Sequence, residues 1–423
     1  MVTSRIFRGW WVLLGIFLSY TALVGIQVYT LPLFYPVLIR EYGWSSEEVT
    51  RAATIFFLTG ALITPFISSL YDRYSVRKFM VAGALLTIIG LGCYSVMQSV
   101  THMVFIYLGL ALSQVCSGQV PTMVVVTRWF KRKRGIAVGI TLLATSVGGA
   151  VFPLVVREVM ADGSWRDAVQ VLMLLSGVMM VLPLIFLIRN RPEDYGLLPD
   201  GDSVAAGDAD AAVKEGTTLR EALRMPAFWM LAFATGALWF CINGIIQHQT
   251  IFISTEMGLS METLPVIISI FFWFAVSGKL LFGWLSDHYS KTLIMFIAVL
   301  NLILGLLILR FASIENMYSL YAYAAVYGIG FAGTFTMIQL VIAEFFAGRS
   351  YGRILGILTM FDVGSGGLGI TVIAKLQAHY GSYLPVIEKL ILLCCVVAVI
   401  VYLLHRMHSR MPKPSVQAVV AGT

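Results

Sequence analysis

Apolar residues in this chain occur in long stretches separated by short polar segments, and no stretch alternates strictly between apolar and polar positions. About 20 apolar residues carry an α-helix across a bilayer, and lipid admits only helices and closed barrels. Because the alternation typical of barrel strands is missing, the pattern predicts an all-α membrane protein with twelve transmembrane helices. The predicted spans are 12–37, 50–70, 79–98, 103–127, 136–157, 167–188, 228–252, 263–285, 292–310, 317–343, 354–376 and 383–405.

The longest polar segment, 189–227, separates these spans into two groups of six. Gly, Ala and Asp cluster in its middle, which is typical of a linker, and Thr218 followed three residues later by Glu221 predicts a short capped helix. We therefore predict two pseudo-symmetric six-helix bundles joined by a cytoplasmic linker. The predicted bounds are 1–190 for the first bundle, 191–225 for the linker and 226–423 for the second bundle with a short tail.

The small share of charged residues agrees with a membrane protein. Charged residues make up 12% of the chain, whereas soluble domains contain roughly 25%. Only seven of the 29 Lys and Arg residues fall in loops on the side opposite the N-terminus. This bias predicts that both termini are cytoplasmic, and it accounts for the net charge of +7 without nucleic-acid binding. No cleavage site of the small-x-small type follows Arg8, so we expect the first span to be retained.

Two loop sequences occur twice, once in each half of the chain. SSLYDRYSVRK at 68–78 has its counterpart in GWLSDHYSK at 283–291. In the same order, an aromatic pair followed by spaced glycines occurs at 129–139 and again at 345–356. Internal repeats of this kind in a membrane chain are typical of alternating-access transporters.

The first of these loops resembles the signature of the Major Facilitator Superfamily between its second and third helices, Gly-x-x-x-Asp-Arg-x-Gly-x-Arg-Lys, with Ser68 and Ser75 in place of the glycines. The segments 129–139, 191–197 and 226–229 look like the bacterial monocarboxylate-porter and oxalate–formate-antiporter branch. The resemblance implies a twelve-helix fold with a central cavity, and a secondary transporter in a bacterial inner membrane.

Charges in the loop at 68–78 and in its counterpart at 283–291 are candidates for a gate on the cytoplasmic side. Arg128 and Arg134, at the next loop on that side, are their candidate partners. Such charges pair when the gate is shut and separate when it opens, as a two-state device requires. The alternative is ordinary anchoring by positive charge. The candidate gating residues are Asp72, Arg73, Arg77, Arg128, Arg134 and Asp287.

Lys279 is a charged residue inside the eighth span, where charge is costly and usually functional. It lies four residues before Gly283, and the resembled branch has an anion-binding arginine at that spacing. We therefore expect Lys279 to bind the substrate anion, although an ammonium lacks the bidentate geometry of a guanidinium. The alternative is a lysine that extends to the lipid headgroups, because Asp287 is only about 12 Å further along the helix.

Asp362 is the candidate for proton coupling, in the eleventh span at a depth similar to that of Lys279. The resembled oxalate exchangers have a lysine in this helix, whereas alignment on Gly366 and Gly369 places Leu358 at that position. One lysine and one aspartate suit a monoanion that moves with a proton, or a zwitterion, better than a dianion. The alternative is a static ion pair between Asp362 and Lys279.

Uncharged polar side chains inside spans are further candidates for substrate contact, and helix–helix hydrogen bonding is the alternative for each. His248 can line the cavity, gate the outer side of the cavity or serve only in packing. These candidates are Gln27, Gln119, Asn243, His248 and Tyr327.

The sequence lacks the motifs that are typical of other classes of protein. It contains no P-loop, no metal-ligand spacing and no hydrolase triad, so we expect neither an enzyme nor a cofactor. The expected partners are a small organic anion, protons and lipid, without nucleic acid, and we expect a monomer. The sequence favours proton-coupled transport of a monocarboxylate by alternating access. A proton-independent exchanger or exporter of metabolites or drugs, and a non-transporting nutrient sensor, are the alternatives.

Overall fold

The computed structural model describes residues 7–71, 74–201, 218–346 and 351–409. Within these ranges the chain is helical without strands, and twelve helices are long and apolar enough to cross a membrane, which confirms the predicted fold class. The helices are α1 (Arg8–Tyr42), α2 (Ser46–Leu70), α3 (Val76–Ser95), α4 (Val100–Trp129), α5 (Arg134–Asp162), α6 (Trp165–Phe186), α7 (Pro226–Glu256), α8 (Leu264–His288), α9 (Lys291–Phe311), α10 (Met317–Phe346), α11 (Tyr351–Tyr380) and α12 (Leu384–Ser409).

Most helices are longer than the spans predicted for them, because they continue past the apolar stretch into capped polar ends. Ser99 caps α4 by accepting a hydrogen bond from the backbone of His102. A reciprocal capping box of Ser164 and Asp167 begins α6. The predicted capping box of Thr218 and Glu221 is confirmed, and it begins the short helix Leu219–Ala222 that precedes α7.

Four of the described helices change their winding inside the membrane, and one of them is α6, which has a π-helical turn at Gly177–Val181. In α1, a π-helical turn at Gly25–Thr30 and a 3₁₀ turn at Leu31–Phe34 precede the last two turns. Gly118 interrupts α4, and α7 ends in a π-helical turn at Phe252–Glu256. Such turns are common at functional sites, since they redirect side chains within an otherwise regular helix.

Helices α1–α6 form a first group and α7–α12 a second, and α5 and α8 are one of the places where the groups meet. The Ser269 hydroxyl of α8 donates to the Ala150 carbonyl of α5 over 2.6 Å. Inside the first group, α1 and α5 approach closely at two glycines, because a Cβ on Gly148 would lie 2.7 Å from the Cα of Gly25. Small residues allow this contact where lipid supplies no hydrophobic driving force.

We call the face at which α1 begins (Arg8) and α12 ends (Ser409) the terminal face, and the opposite face the far face. Near the far face the Tyr35 hydroxyl of α1 donates to Gln247 of α7 over 3.0 Å. On the α2–α11 side, the hydroxyls of Thr371 and Thr54 are 2.9 Å apart. Among the residues that the structure describes, no hydrogen bond joins the two groups closer to the terminal face than the bonds of Lys279. Among the described residues, the hydrogen bonds between the groups thus lie at the far face and in the middle of the helices.

The first part of the linker is attached to the first group by a carboxylate. Asp200 accepts hydrogen bonds from the backbone N–H groups of Lys131, Arg132 and Lys133, at 2.8, 2.7 and 3.2 Å. Its backbone has a φ of 62°, a left-handed conformation that aspartate tolerates better than most residues. We call these four residues the linker clasp. It fastens the linker to the loop between α4 and α5.

Candidate substrate-binding site

Lys279 lies where α8 of the second group meets α5 of the first. Its ammonium donates to the Leu142 carbonyl and to the Thr145 hydroxyl, each over 2.7 Å. The residue is only 7% exposed, so the side chain does not extend to the headgroup region in this conformation. Both partners are neutral, and the positive charge is therefore satisfied but not cancelled.

Aromatic side chains surround this ammonium. It lies 5.0 Å from the centre of the Phe335 ring of α10, a distance that allows a cation–π interaction. The Phe335 ring in turn packs on Trp239 of α7, with ring centres 5.7 Å apart. Across the interface between the groups, Tyr29 of α1 stacks on Phe272 of α8 at 4.3 Å. The buried ammonium thus lies beside a cluster of aromatic rings from both groups, which we call the aromatic cluster.

Asp362 lies in α11 and is 3% exposed. Its Oδ1 atom has no hydrogen-bond partner among the described residues, while the Thr235 hydroxyl of α7 lies beside its carboxyl group. Across the described ranges, no ion pair joins Asp362 to Lys279. The static ion pair that the sequence left open is therefore not formed in this conformation.

His248 is packed inside the second group. Its Nδ1 atom lies 2.8 Å from the Tyr383 hydroxyl and its Nε2 atom 2.9 Å from the Ile370 carbonyl. Both ring nitrogens are thereby engaged, and they connect α7 to α11 and to the residue that precedes α12. In this conformation His248 has the contacts of a structural histidine.

The uncharged candidates do not converge on Lys279. The Gln27 amide donates to Thr87 of α3 and Ser113 of α4, at 2.9 and 3.2 Å, and so holds three helices of the first group together. Asn243 packs so closely against Gly366 of α11 that a Cβ added to Gly366 would clash with the Asn243 Nδ2 atom.

The other two candidates differ in exposure. Tyr327 is fully buried beside Tyr323, with ring centres 5.5 Å apart. Gln119, the first residue after the break in α4, is exposed. Of the two, only Gln119 has an exposed side chain in this conformation.

Of the six gating candidates, Asp72 and Arg73 lie outside the described residues. Arg77 donates to the carbonyls of Leu184 and Ile185, at 2.7 and 2.9 Å, and thereby caps the end of α6. Arg128 donates to the Tyr71 carbonyl over 3.4 Å, also within the first group. Arg134 and Asp287 are exposed at the terminal face. The described gating candidates thus lie at or near the terminal face.

Sequence reasoning missed the contacts that close the far face. Besides its bond with Tyr35, Gln247 donates to the Val28 carbonyl over 3.2 Å, and Thr250 donates to the Pro32 carbonyl over 2.8 Å. These groups are neutral, and they bond to backbone carbonyls or to other neutral side chains. The available signal was the run Gln247 to Thr250 of four polar residues in an apolar span. Its carbonyl partners could not be read from the sequence.

Two six-helix groups that are bonded to each other at the far face and share a buried lysine at their contact have the architecture of a membrane transporter. A model of the Major Facilitator Superfamily matches residues 13–370 and 248–419. The chain belongs to this superfamily.

Curated relatives and a solved structure agree with this assignment. The chain is 22% identical to the uncharacterised MFS-type transporter YhjX of Escherichia coli, over 84% of this chain and 85% of YhjX. It is 24% identical to the riboflavin transporter MCH5 of Saccharomyces cerevisiae, over 89% of this chain and 75% of MCH5. The fold resembles that of the nucleoside transporter NupG, with a TM-score of 0.72 and 14% identity over 93% of this chain and 99% of NupG.

Proposed function

We propose that this protein moves a small organic anion, a monocarboxylate, across the membrane together with a proton. The observation that carries the proposal is the buried ammonium of Lys279, held by neutral partners at the contact between the two groups. A buried charge is costly, and a residue that only packed α8 against α5 would not need one. An uncancelled ammonium beside the aromatic cluster attracts a carboxylate, and it repels cations.

Asp362 is proposed to carry the proton. Its unpaired Oδ1 atom offers a position for a proton inside the second group, away from the ammonium. An unpaired carboxylate charge is costly at such a buried position, and proton uptake removes that cost. Asp362 and Lys279 are on different helices of the same group. A movement of α8 relative to α11 would therefore change the electrostatic field at both side chains.

The direction of opening follows if both termini are cytoplasmic, as the distribution of Lys and Arg favours. The described conformation is then open to the cytoplasm and closed to the outside. We infer that Asp72, Arg73, Arg77, Arg128, Arg134 and Asp287 contribute to closing the cytoplasmic side in the opposite state. A bacterial inner membrane and a monomer remain our proposals for location and assembly.

The proposal is tested with purified protein in liposomes under an acid-outside pH gradient. Proton influx is followed on addition of acetate, pyruvate or benzoate, with dicarboxylates and amino acids for comparison. We expect influx with monocarboxylates, retained activity in Lys279→Arg, and loss of transport in Lys279→Gln.

The proton role is tested in the same liposomes with Asp362→Asn, which we expect to abolish proton influx. Asp162→Asn serves as the matched carboxylate control for coupling, because Asp162 is exposed at the far end of α5 and has no proposed role in transport. Normal anion transport by Lys279→Gln would show that the anion binds elsewhere. Anion exchange without proton movement in the wild type would make the protein a proton-independent exchanger.

A further inference from the structure

The ammonium of Lys279 has hydrogen-bonding capacity beyond its two contacts. A lysine ammonium carries three N–H donors, and two of them are engaged by Leu142 and Thr145. Among the described residues, no further protein acceptor is hydrogen-bonded to this ammonium, and the Phe335 ring contacts it only through its face. One donor thus remains for an acceptor that is not part of the protein.

Thr145 is placed to complete the recognition of such an acceptor. Its hydroxyl accepts from Lys279 and donates to the Leu142 carbonyl of its own helix over 3.1 Å. That second bond is long, and a hydroxyl rotates freely to a better acceptor. The Tyr29 hydroxyl of α1 also lies near the Thr145 hydroxyl. A carboxylate beside the ammonium would be within reach of the rotated hydroxyl.

We propose that Thr145 is a specificity-determining residue of the anion site, a proposal that rests on the anion-binding role of Lys279. One carboxylate oxygen accepts the third N–H of Lys279, and the other accepts the Thr145 hydroxyl, which gives up its bond to Leu142. Two donors at this spacing select a planar carboxylate over a neutral analogue of the same shape. A neutral ester lacks the charge that strengthens both bonds.

This assignment also explains how substrate can couple the two groups. Thr145 belongs to α5 of the first group, whereas Lys279 belongs to α8 of the second. An anion held by both residues is bound only while α5 and α8 remain together. The anion therefore stabilises this helix contact, and its release permits the helices to separate.

The experiment measures binding of acetate, pyruvate and benzoate, and of their methyl esters, to purified protein. Thr145→Val is nearly isosteric and removes the hydroxyl, whereas Thr145→Ser retains it. Thr141→Val is the matched control, because Thr141 is also buried in α5 but its hydroxyl donates only to the Ala137 carbonyl. Melting temperatures of all variants show whether they are folded, and Thr145→Ala replaces the valine variant if that one is unstable.

We expect Thr145→Val to weaken binding of the acid by about 10- to 100-fold, the effect of losing a hydrogen bond to a charged group. Binding of the ester should not change, and Thr145→Ser and Thr141→Val should bind the acid like the wild type. Wild-type affinity in both Thr145→Val and Thr145→Ala, with binding lost in Lys279→Gln, would overturn the role of Thr145 and leave the proposed function intact. Wild-type affinity in Lys279→Gln, or no binding of any acid to the wild type, would overturn both.

Discussion

Three buried residues that can carry charge have different surroundings, and their surroundings suggest different roles. Lys279 bonds to neutral groups of the opposite helix group, so that its charge can act on a ligand. Asp362 has an unpaired oxygen inside the second group, which suits a site that gains and loses a proton. His248 has both nitrogens engaged by its own group, which suits packing.

At this scale we predict that His248→Leu lowers stability and spares binding. The change removes both hydrogen bonds of the imidazole and leaves the Tyr383 hydroxyl without its histidine partner, which costs about 1–3 kcal/mol in the free energy of unfolding. The measurements are thermal unfolding and the affinity for acetate, pyruvate and benzoate. His102→Leu is the control, since His102 is exposed at the start of α4. A loss of affinity without a loss of stability would instead place His248 in the binding site.

At the scale of the elements, the irregular turn of α1 serves two kinds of contact. The π-helical turn of α1 contains Gln27 and Tyr29, which point to different neighbours: Gln27 bonds within the first group, and Tyr29 stacks on α8 of the second. A π-helical turn adds a residue to one turn, which changes the side of the helix on which following residues lie. This geometry lets one short segment serve both packing and the contact between the groups.

The linker clasp gives a prediction with a defined pH range. Burial alone would raise the pKa of Asp200, but the backbone N–H groups of Arg132, Lys131 and Lys133 outweigh it and place the pKa below the ordinary value of 3.8. Because the folded pKa is lower than the unfolded one, the clasp stabilises the protein above that ordinary value and weakens as pH falls below it. At neutral pH we therefore expect the clasp to be fully formed.

Removal of the carboxylate charge in Asp200→Asn should free the basic loop it holds. We expect faster trypsin cleavage at residues 131–133, because the backbone loses charge-assisted hydrogen bonds that order it. Asp194→Asn is the control, since Asp194 is an exposed acidic residue of the same linker. Equal cleavage in both variants and the wild type would mean that the clasp does not order the loop.

At the scale of the whole molecule, transport requires that the far face open. Its neutral hydrogen bonds are each worth only about 0.5–1.5 kcal/mol net, so they can break and re-form during a cycle. A cross-link between the groups at this face should therefore stop transport. Thr54 and Thr371, with hydroxyls 2.9 Å apart, are the positions for it.

We predict that Thr54→Cys combined with Thr371→Cys forms a disulfide under oxidation that abolishes transport and that a reducing agent reverses. The background replaces the exposed Cys93 and Cys395 with serine. Each single cysteine variant serves as a control for oxidation itself. Full transport by protein shown to be cross-linked would mean that this face does not open between α2 and α11.

The sequence by itself determined the class of the protein and the number of its membrane-spanning helices. Twelve apolar stretches require twelve helices, because a backbone in lipid must satisfy its own hydrogen bonds. The repeated loops indicated the superfamily, and the rarity of charge inside spans singled out Lys279 and Asp362. Each of these conclusions follows from local composition or spacing.

Only the tertiary structure decided what those side chains contact. Lys279 and Asp362 appeared as a possible pair in the sequence, yet Lys279 bonds to Leu142 and Thr145, more than 130 positions away. A backbone carbonyl acceptor leaves no signal in the sequence, because every residue carries one. The same reason hid the closure of the far face and the partners of His248. Contacts between helices depend on their rotation and depth, which hydrophobic patterning does not specify to within one side chain.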